Sequence, residues 1–392
     1  MREPADIRQT RVEIDVSAIV SNVETIVSHA NTPAYAVVKA DAYGHGVVPV
    51  SRALAASPAV SGLAVALVEE GLELRDAGID APILVMGASI GDAHEAIVDA
   101  GMIPLVSSAA DLARFAAIGS ARSAPVPVHV KVDTGMSRLG ISRHDVVDVL
   151  RAATSVAGGI AVEGTCTHLA CADVDDPADP DCLTALQLRR FDDVLASLRG
   201  AGIATGIAHA ANSAGALLFP ASRYDRIRPG LAIYGNGPRP DGVALRPVVT
   251  FASEIELLRD LEPGDTASYG ARWTAETDAR IAIVPVGYAD GVPRNLTGSG
   301  EVLIRGRRCP LAGTVCMDMI LVDVTDLGDA VSLGDPVVVL GGQGDERITT
   351  AELAERAGIS EYEVTCGISK RVPRVYPTDG PTVGPTDGPA VE

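Results

Sequence analysis

Short apolar runs alternate with amphipathic stretches through the first 240 residues. The runs near 35–39, 62–66, 82–86, 103–106, 127–133, 162–168, 206–210 and 231–234 predict eight strands. Between them, residues 183–198 carry Leu183, Leu186, Phe191, Val194 and Leu198 near one helical face, and 68–75 read as a less regular helix. Strands alternating with helices imply parallel pairing. Eight such units suggest a closed barrel, although an open doubly wound sheet would produce much the same pattern.

The pattern changes near residue 246. Beyond it, 248–258, 280–286, 302–305, 319–324 and 336–340 read as strands joined by polar turns. One short helix over 351–356 is expected, capped by Thr349 or Thr350. The expected organisation is an α/β barrel over 12–245, a mainly β domain over 246–376, and a tail from 377 to 392. Residues 12–16 alternate apolar and acidic and look like a strand. The tail repeats Pro, Thr, Asp and Gly, cannot bury a core, and is expected to be disordered.

Hydrophobic residues at 47% allow a large core, and aromatics at 3% leave Val, Leu, Ile and Ala to fill it. A net charge of −19 argues against nucleic acid and anionic membranes as partners, which need clustered cations. Cysteines 166, 171, 182, 309, 316 and 366 form no CxxC pair and no zinc-ligand spacing, so no metal site is expected. With no signal-type apolar run at the start and no stretch long enough to span a bilayer, a cytoplasmic protein with reduced thiols is expected.

The chain holds three lysines, Lys39, Lys131 and Lys370, and arginine carries the rest of its basic charge. An arginine stays protonated, whereas a desolvated lysine can become a neutral nucleophile and form a Schiff base. Lys39 closes an apolar run and opens a glycine-punctuated loop. Other polar groups fall at comparable places: Lys131 through Gly140 after the fifth run, Thr167-His168 after the sixth, and His209-Ala-Ala-Asn-Ser213 after the seventh. Arg228-Pro-Gly-Leu231 precedes the eighth. In a parallel barrel the C-terminal ends of the strands share one functional rim.

The octapeptide Lys39-Ala-Asp-Ala-Tyr-Gly-His-Gly46 resembles the pyridoxal-phosphate lysine segment of the alanine racemase family, and the likeness recurs over roughly residues 12–376. The resemblance favours the (β/α)8 barrel and implies that the N-terminal strand joins the C-terminal domain. It makes Lys39 the cofactor lysine. It implies phosphate contacts from Tyr43, Tyr362, Ser213 and the backbone amides of Gly230 and Leu231. Arg228 would face the pyridine nitrogen, buttressed by His209. Because arginine keeps its proton, the ring would remain a weaker electron sink, which suits racemisation over transamination.

The resemblance also makes Lys39 and Tyr269 the two proton-transfer groups, one on each face of Cα. A free phenol titrates near 10, so a cationic setting that includes His168 would have to lower it. Tyr269 would come from the other subunit of a homodimer. Arg138 would bind the substrate carboxylate with its planar fork, aided by the Met317 N–H in the Cys316-Met-Asp318 loop. In many family members the lysine matching Lys131 carries a carbamate, which would steady Arg138. Tyr288, in Gly287-Tyr-Ala-Asp-Gly291, would narrow the entrance and, with Tyr362, leave room for a methyl side chain, with Arg294 contributing. Ser137 and Met319 stand where the family usually has Asn or Gly, and Gln. Arg371-Val-Pro-Arg-Val-Tyr376 matches the family's ending without an assigned role.

The resulting expectation is interconversion of L- and D-alanine, supplying D-alanine for peptidoglycan. Rival readings are a racemase for serine or a broader set, a decarboxylase of related fold, and a non-catalytic pyridoxal-phosphate-binding protein. The last class lacks the β domain that carries Tyr269.

Overall fold

The structure is a computed structural model and describes residues 8–377. The expected disordered tail lies outside the described residues, apart from Pro377. The chain divides into two compact units, one of residues 19–42 and 47–246, the other of 8–18, 43–46 and 247–377.

In the first unit, seven strands pair in parallel in chain order: Ala34–Val37, Val60–Val65, Ile83–Val85, Ile103–Val106, Val126–Asp133, Ile160–Cys166 and Ile207–His209. A two-residue strand, Ile141–Ser142, adds to the fifth. The eighth position differs from the expectation. Residues 231–234 form a 3-10 helix, and the chain turns left-handed at Gly235, with φ +82°. The eighth extended segment lies just upstream. Arg226 bridges His209, Ile227 bridges Ala34, and the Tyr35 and Val37 amides donate to the Ile227 and Pro229 carbonyls at 2.8 and 3.0 Å. The segment thus neighbours both the last strand and the first, and the ring closes. Arg228 follows the eighth extended residues rather than preceding them, so it sits at a strand end like the other rim residues.

The outer helices bury apolar stripes against this sheet. In Leu183–Gly200, Leu188, Phe191, Val194, Leu195 and Leu198 are buried, whereas Leu183 and Leu186 are only half-buried. Burial at spacings of three and four is what turns an amphipathic segment into a packed helix.

The first strand ends at Val37, and Lys39 opens a helical turn, Lys39–Gly44. Ala40, Asp41, Ala42 and Tyr43 all have φ between +53° and +55°, so the turn is left-handed. L-residues resist that hand because Cβ crowds the following carbonyl. The Asp41 carboxylate braces it by accepting from the Val47 amide at 2.7 Å.

The second unit is mainly β. Arg11–Ile14 pairs antiparallel with Val249–Glu254 and parallel with Arg374–Val375. Pro336–Gln343 and the hairpin Glu301–Ile304 with Arg307–Pro310 extend the sheet. Leu257–Leu261, Ala279–Val284 and Ile320–Asp323 form a second sheet, so the expected strand 248–258 is two strands broken at Ile255. The expected helix is Thr350–Ala357, and Thr349 caps it by accepting from the Glu352 amide. A further short helix, Glu361–Cys366, carries Tyr362. No helix among the described residues is long and apolar enough to cross a membrane.

Candidate functional site

The barrel rim gathers cations around one imidazole. Burial holds His168 well below the usual histidine range, and Arg228, Lys131, Arg138 and Lys39 push it further the same way. These cations come from the ends of different strands or the loops after them. Lys39 is half-buried, Lys131 buried, and Arg138 exposed on its loop. Burial also pulls the Lys131 amine down, with Arg228 and Arg138 opposing its charge.

Arg228 is buried, and its bonds define the site. One terminal nitrogen donates to His209 Nδ1 at 2.6 Å. The other reaches the Thr167 carbonyl at 2.8 Å, the Ala210 carbonyl at 3.0 Å and His168 Nδ1 at 3.3 Å. Among the described residues none of its hydrogen bonds goes to a carboxylate. A buried cation without an anion is costly, so this environment favours an anionic or electron-rich ligand. His209 is expected beside Arg228 and stands there. His129, fully buried in Val126–Asp133, is a neighbour that sequence reasoning missed: its Nδ1 lies 2.8 Å from His209 Nε2.

Ser213 Oγ accepts from the Gly230 and Ala232 amides at 2.9 and 3.1 Å. The Gly230 amide therefore serves Ser213, and Leu231 begins the 3-10 helix that follows. Asp133 Oδ1 shapes the loop toward Arg138 by accepting from the Gly135 and Ser137 amides.

In the second unit, the Tyr43 and Tyr362 rings lie 5.8 Å apart. Tyr43 is buried, which pushes its phenol up, and the neighbouring Tyr362 and Cys366 add to the shift. A groove of about 400 Å³ is lined by Tyr269, Tyr288, Arg294, Cys316, Met317 and Asp318, among others. Its walls are fixed from behind. The Tyr288 and Ala289 amides donate to the Cys316 and Met317 carbonyls, both at 3.0 Å. A Cβ on Gly287 would sit 2.4 Å from the Met317 carbonyl oxygen, so only glycine permits this approach. Thr314 Oγ1 donates to the Tyr269 carbonyl at 2.7 Å, and Ser268 Oγ lies 3.3 Å from Cys316 Sγ. The Tyr269 side chain is 75% exposed in the single chain.

Residues 14–238 match the family model for the N-terminal domain of alanine racemase, and 248–376 match that for its C-terminal domain. The alanine racemase of Symbiobacterium thermophilum is 44% identical over 375 residues, spanning 94% of this chain and 97% of that protein. That of Halothermothrix orenii is 39% identical over 374 residues, with the same coverage. Among solved structures, the alanine racemase of D-cycloserine-producing Streptomyces lavendulae superposes with a TM-score of 0.87 at 35% identity, covering 94% of this chain and 97% of that one. The Streptomyces coelicolor enzyme gives 0.88 at 34% identity, covering 95% and 99%.

Proposed function

The chain belongs to the alanine racemase family, and from that premise we propose that it interconverts L- and D-alanine with pyridoxal phosphate as a homodimer, supplying D-alanine for peptidoglycan. The observation that carries the reading is the buried Arg228, hydrogen-bonded to His209 and His168 and to no carboxylate among the described residues, with Lys39, Lys131 and Arg138 also acting on His168. Such a rim suits a ligand with a phosphate and an amino acid with a carboxylate.

The residues present fit the cofactor. Arg228 has no carboxylate among its hydrogen-bond partners; in the first unit the Ser213 hydroxyl and the Leu231 amide, and in the second the Tyr43 and Tyr362 phenols, are each donors suited to phosphate, while the Gly230 amide is held by Ser213 Oγ. When bound, pyridoxal phosphate supplies an electron-accepting ring that makes the Cα proton of an attached amino acid removable.

Lys39 would hold the cofactor at rest and then move a proton on one face of the substrate Cα. Tyr269 moves the proton on the other. Its exposure in the single chain supports a role in a partner subunit's site. Arg138 grips the substrate carboxylate, helped by the Met317 N–H. Cys316 and Asp318 hold that loop, and Tyr288 narrows the groove to admit a methyl group. Arg228 would donate to the ring nitrogen while keeping its own proton. The depressed Lys131 amine has an enlarged neutral fraction, the form that takes up carbon dioxide as a carbamate. Free thiols at all six cysteines suit a cytoplasmic protein.

Borohydride reduction of the holoenzyme followed by peptide mapping should leave the cofactor's mass on Lys39. Incubation with each L-amino acid in deuterated water should show Cα exchange and loss of chirality for alanine far ahead of serine. Label elsewhere, or no exchange with alanine, would overturn the reading.

A further inference from the structure

Arg228, His209 and His129 form a line of hydrogen bonds whose direction is fixed by its first member. A guanidinium can only donate. His209 Nδ1, 2.6 Å from an Arg228 terminal nitrogen, must therefore accept and carry no proton. A neutral His209 then has its proton on Nε2, which points at His129 Nδ1 across 2.8 Å. His129 Nδ1 must accept in turn. Protonating His129 on Nδ1 would set two donors face to face, or would force His209 into a tautomer facing Arg228 with a second N–H.

The backbone is built to hold His129 there. It pairs with Gly164 on the adjacent strand, next to an irregularity in register between Val128 and His129. A Cβ on Gly164 would lie 2.6 Å from two atoms of the His129 ring, so that ring occupies the space a side chain would take. Tyr35 packs edge-on to His129, with ring centroids 5.9 Å apart. Both histidines are buried and both stay neutral: burial first, then Arg228, pushes His129 down to about 4 and His209 well below its ordinary value.

We infer that His129 is a positioning residue for the reaction: by accepting from His209 Nε2 it holds His209 in the tautomer that Arg228 requires and keeps that ring set against Arg228. The inference rests on the proposed function, in which Arg228 serves the cofactor ring. It adds a residue three places removed from that ring, in a strand interior rather than at a strand end.

The test compares His129→Phe, which removes the acceptor, with His129→Asn, whose amide oxygen can take its place. Histidine ring nitrogens of the ¹⁵N-labelled holoenzyme are read by NMR alongside steady-state kinetics. In the parent protein His209 should carry its proton on Nε2 alone. His129→Phe should lose that single tautomer and lower kcat by about tenfold, with KM for alanine changed by less than about twofold. His129→Asn should restore both readouts. A parent His209 protonated on Nδ1, or a His129→Phe variant with unchanged tautomer and kcat, overturns the inference. A parent chain that fails to racemise alanine would instead strike the proposed function, and the ring nitrogens would still decide whether the relay exists.

Discussion

The Arg371 guanidinium grips the Asp290 carboxylate at both oxygens, Nε to Oδ1 at 2.7 Å and a terminal nitrogen to Oδ2 at 3.0 Å. Asp290 has no exposed surface and also takes Arg8 at 2.7 Å and the Gly287 amide at 2.9 Å. The same terminal nitrogen of Arg371 reaches Asp318 at 2.9 Å. One side chain therefore ties the Gly287–Gly291 turn, with Tyr288, to the loop that carries Met317. This gives the unassigned Arg371 motif a structural purpose.

Cutting the two arms should have different results. Asp318→Ala severs only the exposed arm, so KM for alanine should rise about threefold while stability moves by less than about 0.5 kcal/mol. Arg371→Met leaves a buried carboxylate with one arginine and should cost about 3 kcal/mol. Kinetics and urea titration of both variants check this.

The neutral histidine cluster makes stability pH-dependent. His129 titrates near 4 in the fold and near 6.5 when unfolded. Between those values the unfolded state binds the extra proton, so stability falls as pH drops from about 6.5 to about 4, by up to about 1.4 kcal/mol per pH unit for each such group. His168 and His209, depressed by burial and by Arg228 in the same direction, steepen the fall; Lys131, Arg138 and Lys39 also face His168, and Arg226 also faces His209. Above about pH 7 the histidine contribution should vanish. Replacing His129 by Asn should remove part of the slope, as read by urea titration between about pH 4.5 and 7.5.

The left-handed turn can be tested at Ala40, one of its exposed members. Ala40 has φ +53°. Each non-glycine residue held in that hand loses about 1–2 kcal/mol, and the greater unfolded-state freedom of glycine takes back about 0.4–1 kcal/mol. Ala40→Gly should therefore stabilise the protein by about 0.5–1 kcal/mol. In a right-handed turn the same change would destabilise by about 1 kcal/mol. Thermal and urea denaturation give the sign directly.

Tyr269→Phe removes one hydroxyl from an exposed ring. The variant should bind pyridoxal phosphate with the parent's visible absorbance and unchanged stability, yet lose kcat by at least about a hundredfold, the range expected for a lost acid–base group. A variant that racemises at the parent rate would remove Tyr269 from the mechanism.

The rim was legible because polar residues interrupt apolar runs at strand ends, where a parallel barrel collects its chemistry. Lys39, His168 and His209 gave that signal; Arg228 was read as preceding the eighth run, and the structure puts it after the eighth extended segment. His129 gave a quieter one: a polar residue inside the run 126–133, in a strand buried along nearly its whole length. Such a strand should be apolar throughout, so the exception marks a group with a partner. The eighth strand was misplaced because 231–234 is an apolar run, and a short apolar run does not distinguish a strand from a buried turn of helix. The left-handed turn was not legible, because Ala40 through Tyr43 contain no glycine and propensity alone argues against that hand. The Glu70 and Asp41 carboxylates brace it by accepting from the Ala40 and Val47 amides.

The scarcity of lysine has a practical corollary. Lys370 is exposed, Lys39 is half-buried and Lys131 is buried, so an acylating reagent meets one open side-chain amine, one at the rim and one it can scarcely reach. Acylation followed by mass counting would thus report occupancy of the rim almost without background, which makes this chain a self-contained sensor for any molecule that covers residue 39.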